Sequence, residues 1–508
     1  MMLIINMKNS IFKILNIIIL LVFITSFNLR NMNQNEQNEE KSSNLAQSGY
    51  DEVFRPQIHF TPAKNFMNDP NGLILFEGIY HLYFQYNPKG NIWGNMSWGH
   101  AISKDLIHWE EQPVAMLPNE LGFIFSGSCI IDKENKAGFG KNKLIAIYTS
   151  SDQIKQQQSI AYSNDEGQTF INYSGNPVIP NDDENLRDPK VFWHEESQKW
   201  IMILAKGILK GIEIYCSENL KEWEHLSTFV IDIPVPDIQW ECPDLFQLDY
   251  KGSKKWVLIS SVNPRGSFLG SGTMYFLGNF DGKTFTPDPL NYPIWFDYGM
   301  DNYAGVSYSN TGDRKILIGW MNNWSYAPDV PVSPWRSAMT LPRELKLVEY
   351  EGKPILVNTV VEEINKIAGP WVKVENQFEP GVAYQLKLKI NLNKNSQILL
   401  KNNEGERFIF EINSETRKLT AYRNGSTGKT NFNGKFSVPS LEAPLNVSGD
   451  EVTFNIFVDQ SSIEIFTENG SMSMTNLIFP TSIYNYLSVY GVSYKAEMRC
   501  LNSIWKTK

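Results

Sequence analysis

Asn68-Asp69-Pro70-Asn71-Gly72-Leu73 sets a carboxylate directly ahead of a proline, a turn and an apolar run. The chain repeats that design twice, as Arg187-Asp188-Pro189-Lys190-Val191-Phe192 and Glu241-Cys242-Pro243-Asp244-Leu245-Phe246. After each comes a turn and an aromatic-rich apolar stretch: His81–Tyr86, Lys199–Ala205 and Lys255–Ser261. Asp-Pro and Asn-Gly are common turn formers, and one acid at one turn is often only a cap. Three acids in register with a repeat mean more. If the segments are equivalent parts of one symmetric fold, symmetry gathers the acids, and carboxylates around one pocket are the equipment for breaking a glycosidic bond.

Working outward, the stretch from about residue 55 to 347 reads almost entirely as strand. Leu73–Phe76, Tyr80–Gln85, Leu144–Thr149, Trp200–Leu204 and Trp256–Ile259 are short, rich in β-branched or aromatic residues, and bounded by turn formers. Two series of similar segments interleave. Asp69, Ser126, Asp188, Glu241 and Asp301 mark unit starts about 53–62 residues apart. Later in each unit a polar turn leads to an aromatic: Ser103-Lys104-Asp105 to Trp109, Ser163-Asn164-Asp165 to Phe170, Ser217-Glu218-Asn219 to Trp223, and Asn279-Phe280-Asp281 to Phe285. The spacing predicts five units of four antiparallel strands, a five-bladed β-propeller whose innermost strands start at one mouth.

After Leu347 the character shifts. Glu349–Pro370 reads as a connector, with a helical pattern over Val360–Ile367. Alternating strands follow at Tyr384–Asn391, Gln397–Lys401, Phe408–Ile412, Val452–Val458 and Ser462–Phe466, the pattern of a β-sandwich, with Asp459-Gln460-Ser461-Ser462 as a turn. No acids cluster there, which gives that domain a supporting or sugar-binding role. The expected division is a signal peptide or signal anchor at 1–28, a disordered spacer at 29–50, the propeller at 51–347, a linker at 348–370 and the sandwich at 371–508. Lys8 and Lys13 flank the start of the apolar run Ile11–Phe27, which reads as an export signal and places the protein outside the cytoplasm: secreted, cell-surface or periplasmic.

Hydrophobic residues make up 42% and charged residues 20%, so a packed core is expected over most of the chain. A net charge of −9 without a basic stripe argues against nucleic acid as partner. Cys129, Cys216, Cys242 and Cys500 form no CxxC pair, and the six histidines show no HxxxH or HExxH spacing, so no zinc site is expected; no EF-hand-like calcium loop is present either, and no metal-ligating residue is assigned, which leaves a structural calcium open. Cys129, Cys216 and Cys500 sit in or near apolar runs and read as buried thiols.

Together, Asn65-Phe66-Met67-Asn68-Asp69-Pro70-Asn71-Gly72, Phe125-Ser126-Gly127-Ser128, Arg187-Asp188-Pro189 and Glu241-Cys242-Pro243 resemble glycoside hydrolase family 32, the family of invertases, levanases and inulinases. Gly319-Trp320-Met321, Pro342-Arg343-Glu344-Leu345 and Asp459–Phe466 extend the match toward the C-terminus. The resemblance implies a five-bladed propeller joined to a β-sandwich. It implies Asp69 as nucleophile, Glu241 as acid and then base, and Asp188 as transition-state stabiliser. A retaining enzyme holds nucleophile and acid about 5 Å apart and keeps one of them protonated. The apolar neighbours Trp240, Cys242 and Pro243 suit Glu241 to that state. Family positions map Asn68, Gln85, Trp93, Phe125, Ser126 and Arg187 onto contacts with the fructose unit and make Trp320 an aromatic wall. Where the family carries tryptophan this chain has Phe66, which keeps an aromatic face and loses the indole N–H. No cofactor is implied, since carboxylates and water suffice.

Asp297–Gly305 and Ser333–Met339 look like the bacterial levanase and fungal exo-inulinase branch of the family. With the export signal, they point to an exo-acting enzyme that releases terminal β-fructofuranosyl units from levan or inulin, and also cleaves sucrose. An invertase acting mainly on sucrose, an endo-acting levanase and a non-catalytic fructan-binding protein remain as alternatives.

Overall fold

Short runs of β-branched and aromatic residues, cut by glycine and asparagine turns, leave the backbone little choice but strands. The computed structural model describes residues 49–181, 185–207, 210–235, 238–265 and 270–505, and the expected export signal and nearly all of the expected spacer lie outside them. Among the described residues the only helices are three short 3₁₀ turns, at Ala327–Asp329, Glu362–Ile367 and Gly425–Thr427. None is long and apolar enough to cross a membrane.

Five sheets follow in chain order, each led by an innermost strand: Asn65–Phe76, Phe123–Asp132, Leu186–His194, Gln239–Tyr250 and Tyr303–Ser307. Each continues outward through antiparallel neighbours, four main strands in all, which makes a five-bladed propeller. The second series of sequence signals forms the turns into the outermost strands. Asp105 Oδ1 accepts from the amides of Ile107 and His108, Asn219 Oδ1 from those of Lys221 and Glu222, and Asp281 Oδ1 from those of Lys283 and Thr284. The ring closes between blades five and one. Trp335–Arg336 pairs in parallel with Asn65–Phe66, and Ser309 exchanges backbone bonds with Leu73 and Leu75.

The segment 348–370, expected as a linker, departs from that reading. Lys353–Val360 is the outermost strand of the fifth blade, paired along Arg343–Tyr350. The two strands meet at Glu351-Gly352, both with positive φ, as a two-residue hairpin turn requires. Its charged residues Glu349, Glu351 and Lys353 face solvent, which makes a strand look like a connector. The helical pattern at Val360–Ile367 becomes only the 3₁₀ turn Glu362–Ile367.

A β-sandwich follows. One sheet runs in the order Val372–Lys373, Tyr494–Leu501, Ala383–Asn391, Glu451–Val458, Ser462–Thr467, Ser473–Leu477, and the other Val438–Pro444, Lys418–Arg423, Arg407–Asn413, Ser396–Lys401, Tyr486–Tyr490. Alternate residues turn inward, and Leu386, Leu388, Ile398, Leu400, Phe408, Phe410, Phe454, Ile456 and Ile463 fill the space between. The sandwich packs on the propeller through buried charge. Arg343 of the fifth blade donates to Asp297 at 2.9 Å and also bonds Glu464 of the sandwich. Asp459, expected only as a turn residue, accepts from the amides of Gln57 and Ile58 and from His59. The stretches Asp297–Gly305 and Ser333–Met339 therefore serve this interface and the ring closure, with only Tyr303 of them reaching an expected catalytic side chain.

Candidate active site

All five innermost strands break register at about the same depth. Two residues oppose one at Asn68-Asp69, Phe125-Ser126, Asp188-Pro189, Cys242-Pro243 and Ala304-Gly305. Such bulges bend a strand and re-aim its side chains, and proline is tolerated there because no ladder hydrogen bond is lost. Asp188, Cys242 and Ala304 take positive φ of 63°, 45° and 53°. Relative to the bulges the three acids differ: Asp69 is the second bulge residue, Asp188 the first, and Glu241 directly precedes its bulge. Asp301 lies outside the fifth strand, and its carboxylate bonds Arg423 and Tyr326 instead of entering the pocket.

The bulges open on a pocket of about 410 Å³ lined by Asn68, Asp69, Gln85, Trp93, Phe125, Ser126, Ser151, Gln153, Gln156, Arg187, Asp188, Glu241 and Trp324. Nine of the ten expected site residues are therefore together, and Trp320 is not. It is fully buried, with its indole donating to Met67 O at 3.1 Å, and Trp324, 4.8 Å away between ring centres, forms the wall. Phe66 is likewise fully buried, 6.3 Å from the Trp324 ring, so no group at that position faces the pocket. Trp93 is 43% exposed at the rim and meets Phe125 edge-on. Gln85 lies on the pocket wall with its amide donating to Ile124 O.

Asp69 Oδ2 accepts from Ser126 Oγ at 2.7 Å, and Oδ1 accepts from Asn68 Nδ2 at 3.1 Å. Asp188 Oδ2 accepts from the Cys242 amide at 2.9 Å. Arg187 Nη2 donates to Glu241 Oε1 at 2.9 Å, and the Tyr303 phenol donates to Glu241 Oε2. The apolar setting expected for Glu241 does not hold. Strand alternation sends Trp240 into the core, stacked on Phe276, and leaves Glu241 between an arginine and a phenol. Burial pushes the Asp69 carboxyl above its ordinary range. The charge of Glu241 adds to this, and the bonds from Ser126 and Asn68 offset part of it. Burial also pushes Asp188 up, to about 7, with Arg187 opposing and the Glu241 and Asp69 charges adding.

Sequence reasoning missed Tyr303, Cys242, Ser151, Gln153, Gln156 and Trp324. Cys242 Sγ lies 3.5 Å from Asp69 Oδ2 and 3.6 Å from Asp188 Oδ2, between the two acids. Gln153 lies in a hairpin connection of the second blade and Gln156 opens the strand after it, where sequence gives no sign of facing a pocket. Trp324 carried a usable signal, since strand Ile316–Met321 ends just before it and a large aromatic in a connecting turn can form a rim. The four cysteines are free thiols, and Cys500 is half-buried where full burial was expected.

The model of the glycosyl hydrolases family 32 N-terminal domain matches residues 59–358, and that of the family 32 C-terminal domain matches 358–505. The chain belongs to glycosyl hydrolase family 32. It is similar to the levanase of Bacillus subtilis, 43% identical over 497 residues, covering 92% of this chain and 73% of that one. The extracellular exo-inulinase of Aspergillus niger is 46% identical over 359 residues, covering 63% of this chain and 67% of its own. The crystal structure of exo-inulinase from Aspergillus awamori superposes with a TM-score of 0.83 at 37% identity, over 90% of this chain and all of that one. This family-32 glycosidase thus carries the propeller-and-sandwich fold of its relatives.

Proposed function

We propose that this glycosidase releases terminal β-D-fructofuranosyl units from fructans, and from sucrose, by double displacement. The observation that carries the proposal is the convergence of Asp69, Asp188 and Glu241, from three different blades, on one pocket of about 410 Å³. Such a volume suits a terminal sugar and part of its neighbour. In the first step Asp69 attacks the anomeric carbon, the glycosidic C–O bond breaks, and Glu241 gives its proton to the leaving oxygen. In the second, Glu241 takes a proton from the water that attacks the same carbon, and Asp69 leaves. Asp188 accepts from sugar hydroxyls as positive charge grows on the ring.

Exo action on polymer is supported by the similarity to a levanase and to exo-inulinases. Action outside the cell is supported by the apolar run Ile11–Phe27 and by the extracellular relative. Product analysis of the purified protein on levan, inulin and sucrose tests the substrate. Fructose without intermediate oligomers is expected from the polymers. Oligomers would mean endo action, activity on sucrose alone an invertase, and no activity on any of the three would overturn the proposal.

A further inference from the structure

Asp301 begins the fifth unit in the sequence pattern, yet its carboxylate reaches into the sandwich. Oδ2 accepts from Arg423 Nη1 at 2.6 Å and from the Leu477 amide at 2.8 Å, and Oδ1 accepts from the Tyr326 hydroxyl. Arg423 Nη2 also meets that hydroxyl at 2.9 Å, its Nε donates to Phe436 O at 2.9 Å, and its guanidinium lies 4.0 Å from the Phe436 ring centre. Arg423, Asp301 and Tyr326 are all closed to solvent. Arg423 ends the sandwich strand Lys418–Arg423 and Leu477 ends Ser473–Leu477, so a propeller carboxylate is gripped from two sandwich strands. Backbone bonds reinforce the grip: the Asp301 amide donates to Thr475 O at 3.1 Å and the Tyr298 amide to Ser473 O at 2.9 Å.

Two residues after Asp301 stands Tyr303, whose phenol donates to Glu241. It opens the strand Tyr303–Ser307 directly before the bulge at Ala304, which holds a left-handed conformation that a non-glycine residue keeps only when its surroundings enforce it. Burying an ion pair is a costly way to join two domains when apolar contact would serve. What it supplies beyond apolar contact is direction, since the guanidinium bonds Asp301 through one nitrogen and, through the other, the Tyr326 hydroxyl that itself donates to Asp301.

We propose that the β-sandwich positions the acid/base: the Arg423–Asp301–Tyr326 cluster sets the start of strand Tyr303–Ser307, so that the Tyr303 phenol holds the Glu241 carboxyl toward the pocket. Arg423, Asp301 and Tyr303 are positioning residues, and the inference rests on Glu241 as acid/base.

A merely structural role and a positioning role differ in what they slow. A misdirected acid slows cleavage of sucrose, whose leaving alkoxide needs a proton, and spares the first turnover of a nitrophenyl β-fructofuranoside, whose leaving group does not. Tyr303→Phe is expected to lower kcat on sucrose by roughly tenfold to a hundredfold and the nitrophenolate burst by less than about threefold. Arg423→Lys should show the same selectivity, and the double variant should be no slower on sucrose than Tyr303→Phe alone. Where Arg423→Lys fails to fold, Tyr326→Phe, which removes one hydroxyl from the cluster, replaces it in the same cycle. Additive losses, equal losses on both substrates, or unchanged sucrose turnover in a folded Arg423 or Tyr326 variant would each overturn the inference. Glu241→Gln, assayed in parallel, separates the two claims. If it loses sucrose turnover and keeps the aryl burst while the cycle is additive, only the positioning inference falls. If it shows no such selectivity, the acid/base assignment falls first.

Discussion

His59 lies between two acids of the sandwich, with Nδ1 2.7 Å from Asp459 Oδ2 and Nε2 2.8 Å from Glu464 Oε1, and all three are buried. Each ring nitrogen faces a carboxylate, so both must donate, and a ring that donates twice is the imidazolium. Burial works against that charge, but the two carboxylates outweigh it and hold the ring at about 9, against an ordinary 6.5. The difference corresponds to about 3 kcal/mol of folding free energy. Because the folded value is the higher one, the contribution is complete below about pH 6.5 and is lost as pH rises through about 9. Denaturant midpoints and slopes for wild type and His59→Gln, taken near pH 6 and near pH 10, isolate it, since other titrating groups are common to both. Wild type should lose about 3 kcal/mol more than the variant across that interval. Parallel losses would refute a charged His59 as the pin between the domains.

Other expectations concern the pocket and the domain interface. Trp324→Ala should raise KM on sucrose and fructan by roughly tenfold through the lost ring face while the melting temperature changes little, and an unchanged KM would remove Trp324 from the wall. Trp320→Phe should instead cost stability, roughly 1–3 kcal/mol, by leaving Met67 O without its buried donor, as measured by denaturant unfolding. A Cβ at Gly299 would overlap the backbone of Thr475, so Gly299→Ala should destabilise by several kcal/mol, read as lost soluble yield and a lowered melting temperature. Asp188, held up to about 7, takes a proton as pH falls, and a protonated carboxyl no longer accepts from two sugar hydroxyls at once. The kcat/KM of the enzyme should therefore fall as pH drops through about 7, and a flat profile between about pH 5 and pH 8 would contradict that role.

The repeat was legible because it rests on local chemistry. Asp-Pro, Ser-Gly and Cys-Pro, read as turns, recur at the bulges of the innermost strands, and Asp105, Asn219 and Asp281 form turns through bonds to amides two or three residues on. What depends on partners distant in sequence was not legible. Nothing local says that Asp301 faces Arg423 from 122 residues away, or that Asp459 reaches back to His59 across 400. Trp320 and Trp324 show the same limit within one blade. Both are tryptophans beside the pocket, and only the turn after Met321 decides which of them reaches its surface. The hairpin at Glu351-Gly352 was legible in principle, and the solvent-facing charges of an outer strand hid it.

A five-fold scaffold offers equivalent positions, whereas the proposed double displacement needs groups that are not equivalent. The chain resolves this by letting adjacent blades do different work at the same level. Blade one supplies Asp69, and blade two, at its own bulge, supplies the Ser126 hydroxyl that donates to it. Blade three supplies Asp188, and blade four supplies the Cys242 amide that donates to it, freed from the ladder by the same bulge. Blade four also supplies Glu241 one residue earlier, and blade five supplies its phenol, Tyr303, while Arg187 reaches it from blade three. Each acid thus depends on a donor from the next blade round the ring. Blade five meets blade one through the short pairing of Trp335–Arg336 with Asn65–Phe66 and the backbone bonds of Ser309 with Leu73 and Leu75. It is also the blade against which the sandwich packs its buried charges, through Asp301, Arg343 and the segment around Tyr298. The sandwich is therefore placed against the blade that supplies Tyr303, the donor to the proposed acid/base Glu241.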